Sequence, residues 1–366
     1  MKAVMFYQPG EARIEDIPMP RPGPGELLVK IGAALTCGTD LKAYRRGHPT
    51  LFKTLPSPFG HEFAGTVVEV GAGVERFAPG QRVVAVNSAP CGSCYYCHIH
   101  RESLCERLEL LNGAYAESII IPARIVEKNT YLLPDHLSFA EAALLEPLAC
   151  AVHGLDALPL ALGDTVVVSG CGPIGLMFVN LAALRGARVI ACGKGAERLA
   201  AARRFGACAV LDAASFATAD DQVAAARALT PEGRGADIAI EAVGKPGVWE
   251  QTLRMARRAG TVLLFGGMPS GSTVPLDATL LHYGELTIMG VYHHTPRHVQ
   301  IAFDLLCNGV IRAQDYISGS MPLAETIAAL ELIGSSQGIK YAIIPPEAEP
   351  PPFAPHILPT TKASGV

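Results

Sequence analysis

No block of like charges occurs in the 366 residues, and charged side chains make up only 17 % of them. The 30 Lys and Arg against 34 Asp and Glu leave a formal charge of −4. That balance excludes the basic face that nucleic acid or an anionic membrane surface would require. Disorder is excluded as well, because 49 % of the residues are hydrophobic. The leading segment, Met1 to Gly10, has too short an apolar run for a signal peptide, and no internal repeat is visible. One uncharged stretch, Val166 to Leu184, could span a bilayer on length alone. Its middle reads Gly170-Cys171-Gly172-Pro173-Ile174-Gly175, a turn between a β-branched run and a helical one. The stretch is therefore read as strand, turn and helix in a cytoplasmic protein of about two domains.

What is present is unevenly placed. Four of the 10 cysteines (Cys91, Cys94, Cys97 and Cys105) fall within fifteen residues. Without a secretory leader such a cluster points to a metal rather than to disulfides. A ferredoxin-type cluster expects a shorter last gap followed by Pro, whereas Glu106 follows here. Four thiolates around one tetrahedral zinc fit better, and such a closed site holds a loop rather than a substrate.

Two textures divide the chain. The first 150 residues carry short β-branched runs broken by Gly and Pro, among them Glu26 to Ile31, Gly65 to Val70, Arg82 to Val86 and Glu117 to Ile121, which predicts a small barrel or sandwich. From about Gly154 strands alternate with helices. Strands are expected at Thr165 to Ser169, Arg188 to Cys192, Asp237 to Glu241 and Thr261 to Phe265, as in a doubly wound parallel sheet. Helices near Arg297 to Cys307 and Leu323 to Leu332, and a strand Lys340 to Ile344, return to the first domain. From Pro345 there are seven prolines in 22 residues, a tail that extends along the surface or stays disordered.

The turn Gly170-x-Gly172-x-x-Gly175 follows a strand and opens a helix, the setting in which a pyrophosphate approaches a helix N-terminus. About 20 residues on, NAD-binding folds usually place a carboxylate for the ribose hydroxyls. This chain has Gly193 there, with Lys194 beside it and Arg198 soon after. The missing carboxylate and two nearby cations favour NADP over NAD; the alternative is that both cations are solvated surface charge. Three further local words stand out: Cys37-Gly38-Thr39-Asp40 ending one strand, Gly60-His61-Glu62 opening another, and Glu146-Pro147-Leu148 ahead of the α/β half.

With these words in this order, the chain resembles the zinc-dependent medium-chain dehydrogenases/reductases of the alcohol dehydrogenase superfamily, nearest the sorbitol and threonine dehydrogenase branch. The resemblance runs from about Lys2 to Pro345. It implies a GroES-like β-barrel catalytic domain (1–153 and 291–345) around a Rossmann domain (154–290), with the Pro-rich tail 346–366 unmatched. It implies one catalytic and one structural zinc. Cys37 and His61 match catalytic ligands, Glu62 ligates the metal or stands beside it, and Glu146 takes the third position. Thr39 matches the hydroxyl that relays the substrate proton. Lys42 stands where many relatives end that relay on His, so the proton leaves through Lys42, a ribose hydroxyl or water. The nucleotide contacts extend from Gly170, Gly172, Pro173, Ile174 and Gly175 to Val243, Phe265, Gly266, Val291 and His293. Tyr44, His293 and His294 are candidate partners for substrate hydroxyls.

The activity implied is interconversion of a secondary alcohol of polyol, sugar or cyclitol type with its ketone, by a homodimer or homotetramer. Oxidation of a hydroxy amino acid is the alternative. A zinc-free quinone or enoyl reductase would lack the ligand words, and a non-enzymatic protein keeping the fold would be expected to lose the catalytic set.

Overall fold

A computed structural model describes residues 1–48, 51–52, 54–346 and 348. Apart from 346 and 348, the Pro-rich tail lies outside the described residues. Among the described residues no helix is long and apolar enough to cross a membrane.

The α/β half is built on a six-stranded sheet with every pairing parallel. Its order across the sheet is Ala207–Asp212, Arg188–Gly193, Thr165–Ser169, Ala236–Glu241, Ala256–Leu264 and Thr287–Gly290. Val166, Val167 and Val168 are fully buried, as a central strand covered by helices on both faces requires. Strand order reverses between Thr165–Ser169 and Ala236–Glu241, so the ligand crevice opens beyond the ends of those two strands. The uncharged stretch splits as expected, into this central strand and the helix Pro173–Leu184 with Pro at its first turn.

In the barrel half, Leu27–Leu35 pairs with Phe63–Val70, Ser118–Ile121 and, at its far end, Lys340–Ile344. The last strand thus comes back to the first domain, and it also pairs in parallel with Ile317–Pro322. Cys37 departs from expectation. The strand stops at Leu35, and Cys37 caps the helix Gly38–Arg46, its sulfur accepting the Thr39 N–H at 3.4 Å. The acid Asp40 in the first turn favours that helix start.

The halves meet along Leu145–Asp156, a helix buried over nearly its whole length that runs across the 153/154 boundary. It packs against Pro173–Leu184 and against Pro296–Cys307, whose Val299, Ala302 and Leu306 share its core. Its last residue, Asp156, opposes the partial negative charge of a helix C-terminus, and three donors offset this. Arg297 lies at 2.6 Å, Arg185 at 3.2 Å and the His298 ring at 3.4 Å. Hydrogen bonding from Arg297 leads in holding the Asp156 pKa down at about 2. The folded value lies below the unfolded one, so this contribution is present above about pH 4 and lost as pH falls through about 2. Asp156→Asn should lower stability at neutral pH by about 1 kcal/mol, a value discounted for partial exposure. In urea titrations at several pH values the gap from wild type should close between about pH 4 and pH 2; a constant gap would contradict the assignment.

Candidate active site

Cys37, His61 and Glu62 come together at the barrel's edge of the cleft, with one donor atom of each within 4.8 Å of the others. His61 is held by Asp40, which lies 2.8 Å from its Nδ1 and is itself fully buried. A carboxylate there demands a proton on Nδ1, which leaves Nε2 as the free donor for a metal. The Tyr115 hydroxyl completes this support, donating to the second Asp40 oxygen at 2.7 Å. Burial alone would keep the His61 imidazole neutral, but Asp40 and Cys37 outweigh it and raise its pKa.

Glu62 faces a partner that sequence reasoning did not name. Lys340 Nζ lies 2.9 and 2.7 Å from its two oxygens, with both side chains sealed from solvent. Burial pushes the Glu62 carboxyl up to about 7 even against the Lys340 ammonium. Lysine in the last strand carries no sequence signal for this pairing, because 278 positions separate the two residues. Of the two roles left open for Glu62, this pairing favours standing beside the metal. Glu146, at the start of Leu145–Asp156, lies with Cys150 and His293 in a second group of donors within 4.8 Å. Thr39 is exposed at the start of its helix, beside Cys37.

Four sulfurs gather in the separate lobe. Cys94 Sγ lies 3.5 Å from Cys97 and 3.8 Å from Cys105, and the Cys91 sulfur completes a set within 4.8 Å. Zinc–sulfur bonds of about 2.3 Å place ligands about 3.8 Å apart at a tetrahedron's edges. The donor set and spacing fit zinc. Backbone N–H donation from Ser93 leads in lowering the Cys91 pKa to about 5, while burial takes Cys97 up to about 12.

The glycine turn also fits a dinucleotide. A side chain at Gly175 would strike the Gly170 carbonyl at 1.7 Å, whereas nothing lies within 4 Å of the position a Cβ would take at Gly172. That open backbone is where a pyrophosphate can approach the N-terminus of Pro173–Leu184. Ile174, Phe265 and Val291 pack against the core beneath the cleft. Val243 and Gly266 are organised by the buried Glu241 carboxylate, which accepts from Val243, Gly244 and Gly266 N–H groups at 2.8, 2.8 and 3.2 Å.

Several expectations need correction. Arg198 does not face a ribose phosphate: its buried guanidinium donates to the Ile333 and Gly338 carbonyls at 2.7 and 2.8 Å, tying the nucleotide fold to the C-terminal segment. Lys42 engages backbone across the cleft. Its ammonium lies 3.3 Å from both the Val243 and Gly267 carbonyls across the cleft. Tyr44 donates to the Gly10 carbonyl at 2.8 Å, and His294 is buried with Nε2 3.3 Å from the Asn87 side-chain oxygen. The buried Nδ1 of His294 has no partner among the described residues. Lys194 alone of the two cations is exposed beside Gly193.

Two family descriptions match, the alcohol dehydrogenase GroES-like domain over residues 23–134 and the zinc-binding dehydrogenase domain over 173–308. The chain is 33 % identical to an L-threonine 3-dehydrogenase of Bacillus licheniformis, covering 94 % of this chain and 99 % of that one. The chain belongs to the zinc-binding alcohol dehydrogenase family. A sorbitol dehydrogenase of Bacillus subtilis is 30 % identical, covering 90 % of this dehydrogenase and 93 % of its own length. A solved zinc-binding dehydrogenase from Sinorhizobium meliloti bound to NADP superposes with a TM-score of 0.84 at 32 % identity, covering 94 % and 99 % of the two chains.

The dehydrogenase depends on Lys340 to neutralise Glu62. Removing one member of a buried pair leaves an uncompensated charge, at a cost of about 3–5 kcal/mol. Lys340→Met should therefore lose about 3 kcal/mol at pH 8, and the double change Lys340→Met/Glu62→Gln clearly less. Equal losses in chemical denaturation would mean that packing, not charge, carries the effect.

Proposed function

We propose that this dehydrogenase interconverts a secondary hydroxyl of a polyol with its ketone, using NADP(H) in preference to NAD(H). The observation that carries the reading is the meeting of Cys37, His61 and Glu62 with an exposed Thr39 hydroxyl, in a chain whose glycine turn has an open backbone at Gly172. Cys37, His61 and Glu146 would hold the catalytic zinc, and the sulfurs of Cys91, Cys94, Cys97 and Cys105 the structural one. When bound, zinc supplies Lewis acidity at the substrate oxygen, and the nicotinamide takes up or returns a hydride.

The chain's own residues do the rest. Asp40 fixes the His61 ring, and Lys340 balances Glu62 so that the cleft does not accumulate negative charge. Thr39 Oγ1 takes the substrate's hydroxyl proton and, being exposed, hands it to solvent. With its ammonium on the Val243 and Gly267 carbonyls, Lys42 spans the cleft and steadies the nucleotide contacts instead of ending the relay.

The polyol reading follows the sorbitol dehydrogenase relative, and Glu146 supports it. A carboxylate in the third position is harder than a thiolate and tolerates oxygen ligands. The threonine dehydrogenase relative keeps a hydroxy amino acid as the second reading. The NADP preference rests on Gly193 and Lys194, and the structure adds a steric reason. A Cβ at position 193 would lie 2.4 Å from both the Cβ and the sulfur of Cys171, so a carboxylate enters there only if the glycine turn shifts. The reading includes a homodimer or homotetramer, and the outer edge of Thr287–Gly290, which ends the parallel sheet, is in keeping with it. A cytoplasmic setting is part of the same reading, supported by the four clustered thiols being read as zinc ligands and not as disulfides.

The test is a panel of polyols, secondary alcohols and L-threonine with each cofactor. The highest kcat/KM is expected for a polyol with NADP; L-threonine as the best substrate would overturn the first reading. Lys194→Ala should lower kcat/KM for NADP about ten- to a hundredfold, the worth of one charge-assisted bond to a phosphate, and leave NAD nearly unchanged. Thr39→Val should lower kcat with little change in nucleotide affinity.

A further inference from the structure

One helical turn away from the catalytic cluster holds the chain where it passes from the parallel sheet back to the barrel half. His153 and Asp156 share a face in the last turn of Leu145–Asp156. Residues 291–295 lie against that face, between the strand Thr287–Gly290 and the helix Pro296–Cys307. In the middle of this loop the His153 Nδ1–H donates to the His293 carbonyl at 2.8 Å. At its end, His298 Nε2 lies 3.4 Å from the Asp156 carboxylate, which calls for a proton on that nitrogen. His298 Nδ1 therefore accepts the Thr295 hydroxyl, at 2.7 Å. The His153 and His298 rings pack on each other with centroids 4.4 Å apart. Burial lowers both imidazole pKa values, that of His298 to about 4, so two neutral rings meet without repulsion.

The loop needs such a hold. His293 has a φ of 60°, in the left-handed region that residues other than glycine visit rarely and keep only when their surroundings impose it. On the barrel side only side chains are engaged: His293 Nε2 lies 2.6 Å from the Ser88 hydroxyl, and His294 Nε2 lies 3.3 Å from the Asn87 side-chain oxygen. The His153 bond reaches the backbone of the strained residue itself. The N–H groups of Tyr292, His293 and His294 have no acceptor among the described residues. The strand ahead of them belongs to the parallel sheet, and its C-terminal end lies on the side where such sheets bind ligands. With the His293 carbonyl tied to His153, these donors stay available on the crevice.

We propose that His153 is a positioning residue for nucleotide binding, which fixes the loop 291–295 through the His293 carbonyl in the strained shape that leaves its N–H groups open. It rests on the nucleotide contacts proposed at Val291 and His293, and acts on them from behind the loop. His298, held between Asp156 and Thr295, sets the plane of the His153 ring and so aims its N–H.

The test uses the full-length, zinc-loaded protein, first without nucleotide and then with it. His153→Phe keeps a flat ring against His298 but has no N–H, whereas His153→Asn places an amide N–H where Nδ1 stood. In amide hydrogen exchange without nucleotide, peptides covering 291–295 should exchange faster in His153→Phe than in wild type, and those covering Thr165–Ser169 should not change. Calorimetric Kd values for NADP and NAD should rise about three- to tenfold in His153→Phe, the worth of one hydrogen bond, and return to within about twofold of wild type in His153→Asn. KM for the nucleotide should rise in His153→Phe with kcat at saturation nearly unchanged. Unchanged affinity or unchanged loop exchange in His153→Phe would overturn the proposal. So would a His153→Asn protein as weak as His153→Phe, because ring packing would then be the cause. Faster exchange in Thr165–Ser169 as well would assign His153 to overall stability and overturn it too. A wild type that binds neither nucleotide would instead overturn the contacts on which the proposal rests, and loop exchange would then show separately whether His153 holds the loop.

Discussion

Charge cannot be left unpaired where solvent is excluded, and this constraint organises the barrel half. Glu62 and Lys340 are both almost completely sealed from water, as are Asp40 and His61. An isolated ion in such a place costs several kcal/mol. Lys340 must therefore dock beside Glu62, which brings Lys340–Ile344 onto Leu27–Leu35 and returns the chain to the barrel half after the parallel sheet. The same pairing decides what the cleft can do. With the Glu62 carboxylate neutralised from behind, His61 and Cys37 can present their donor atoms without a surplus of negative charge.

Two kinds of metal chemistry follow from two kinds of surroundings. In the lobe, four sulfurs converge from fifteen consecutive residues, so local chain geometry assembles the site and leaves no position for substrate. In the cleft, the candidate ligands come from a helix cap, a strand entrance, a long interdomain helix and a loop. Such a site exists only when both halves are folded and in contact. Lys42 on the Val243 and Gly267 carbonyls, and Arg198 on the Ile333 and Gly338 carbonyls, are part of that contact. A linear reading assigns Lys42 to a proton relay and Arg198 to a nucleotide phosphate, and tertiary packing sets both against backbone carbonyls.

Much of the nucleotide fold was legible, because its signals are local. Thr165–Ser169 and Lys340–Ile344 occupy the predicted spans, and the other predicted parallel strands and the helices are displaced only at their ends. β-branched runs and glycine turns are properties of neighbouring residues, so periodicity finds them. The helix Gly38–Arg46 was missed because Cys37-Gly38-Thr39 has weak helix propensity. What starts that helix is a sulfur acting as cap and a buried acid aimed at His61.

The sequence by itself determined the order of the two architectures, the four-cysteine lobe, the glycine turn and the words around Cys37, His61 and Glu146. Each is a spacing within a short segment, and spacing survives in one dimension. Only the tertiary structure decided which polar groups face each other: Lys340 with Glu62, Asp40 with His61, and Glu146 with Cys150 and His293. It also decided that Cys171 stands where an acid at position 193 would need to enter. Those relations depend on burial, and burial is set by how distant segments pack, which no single segment encodes.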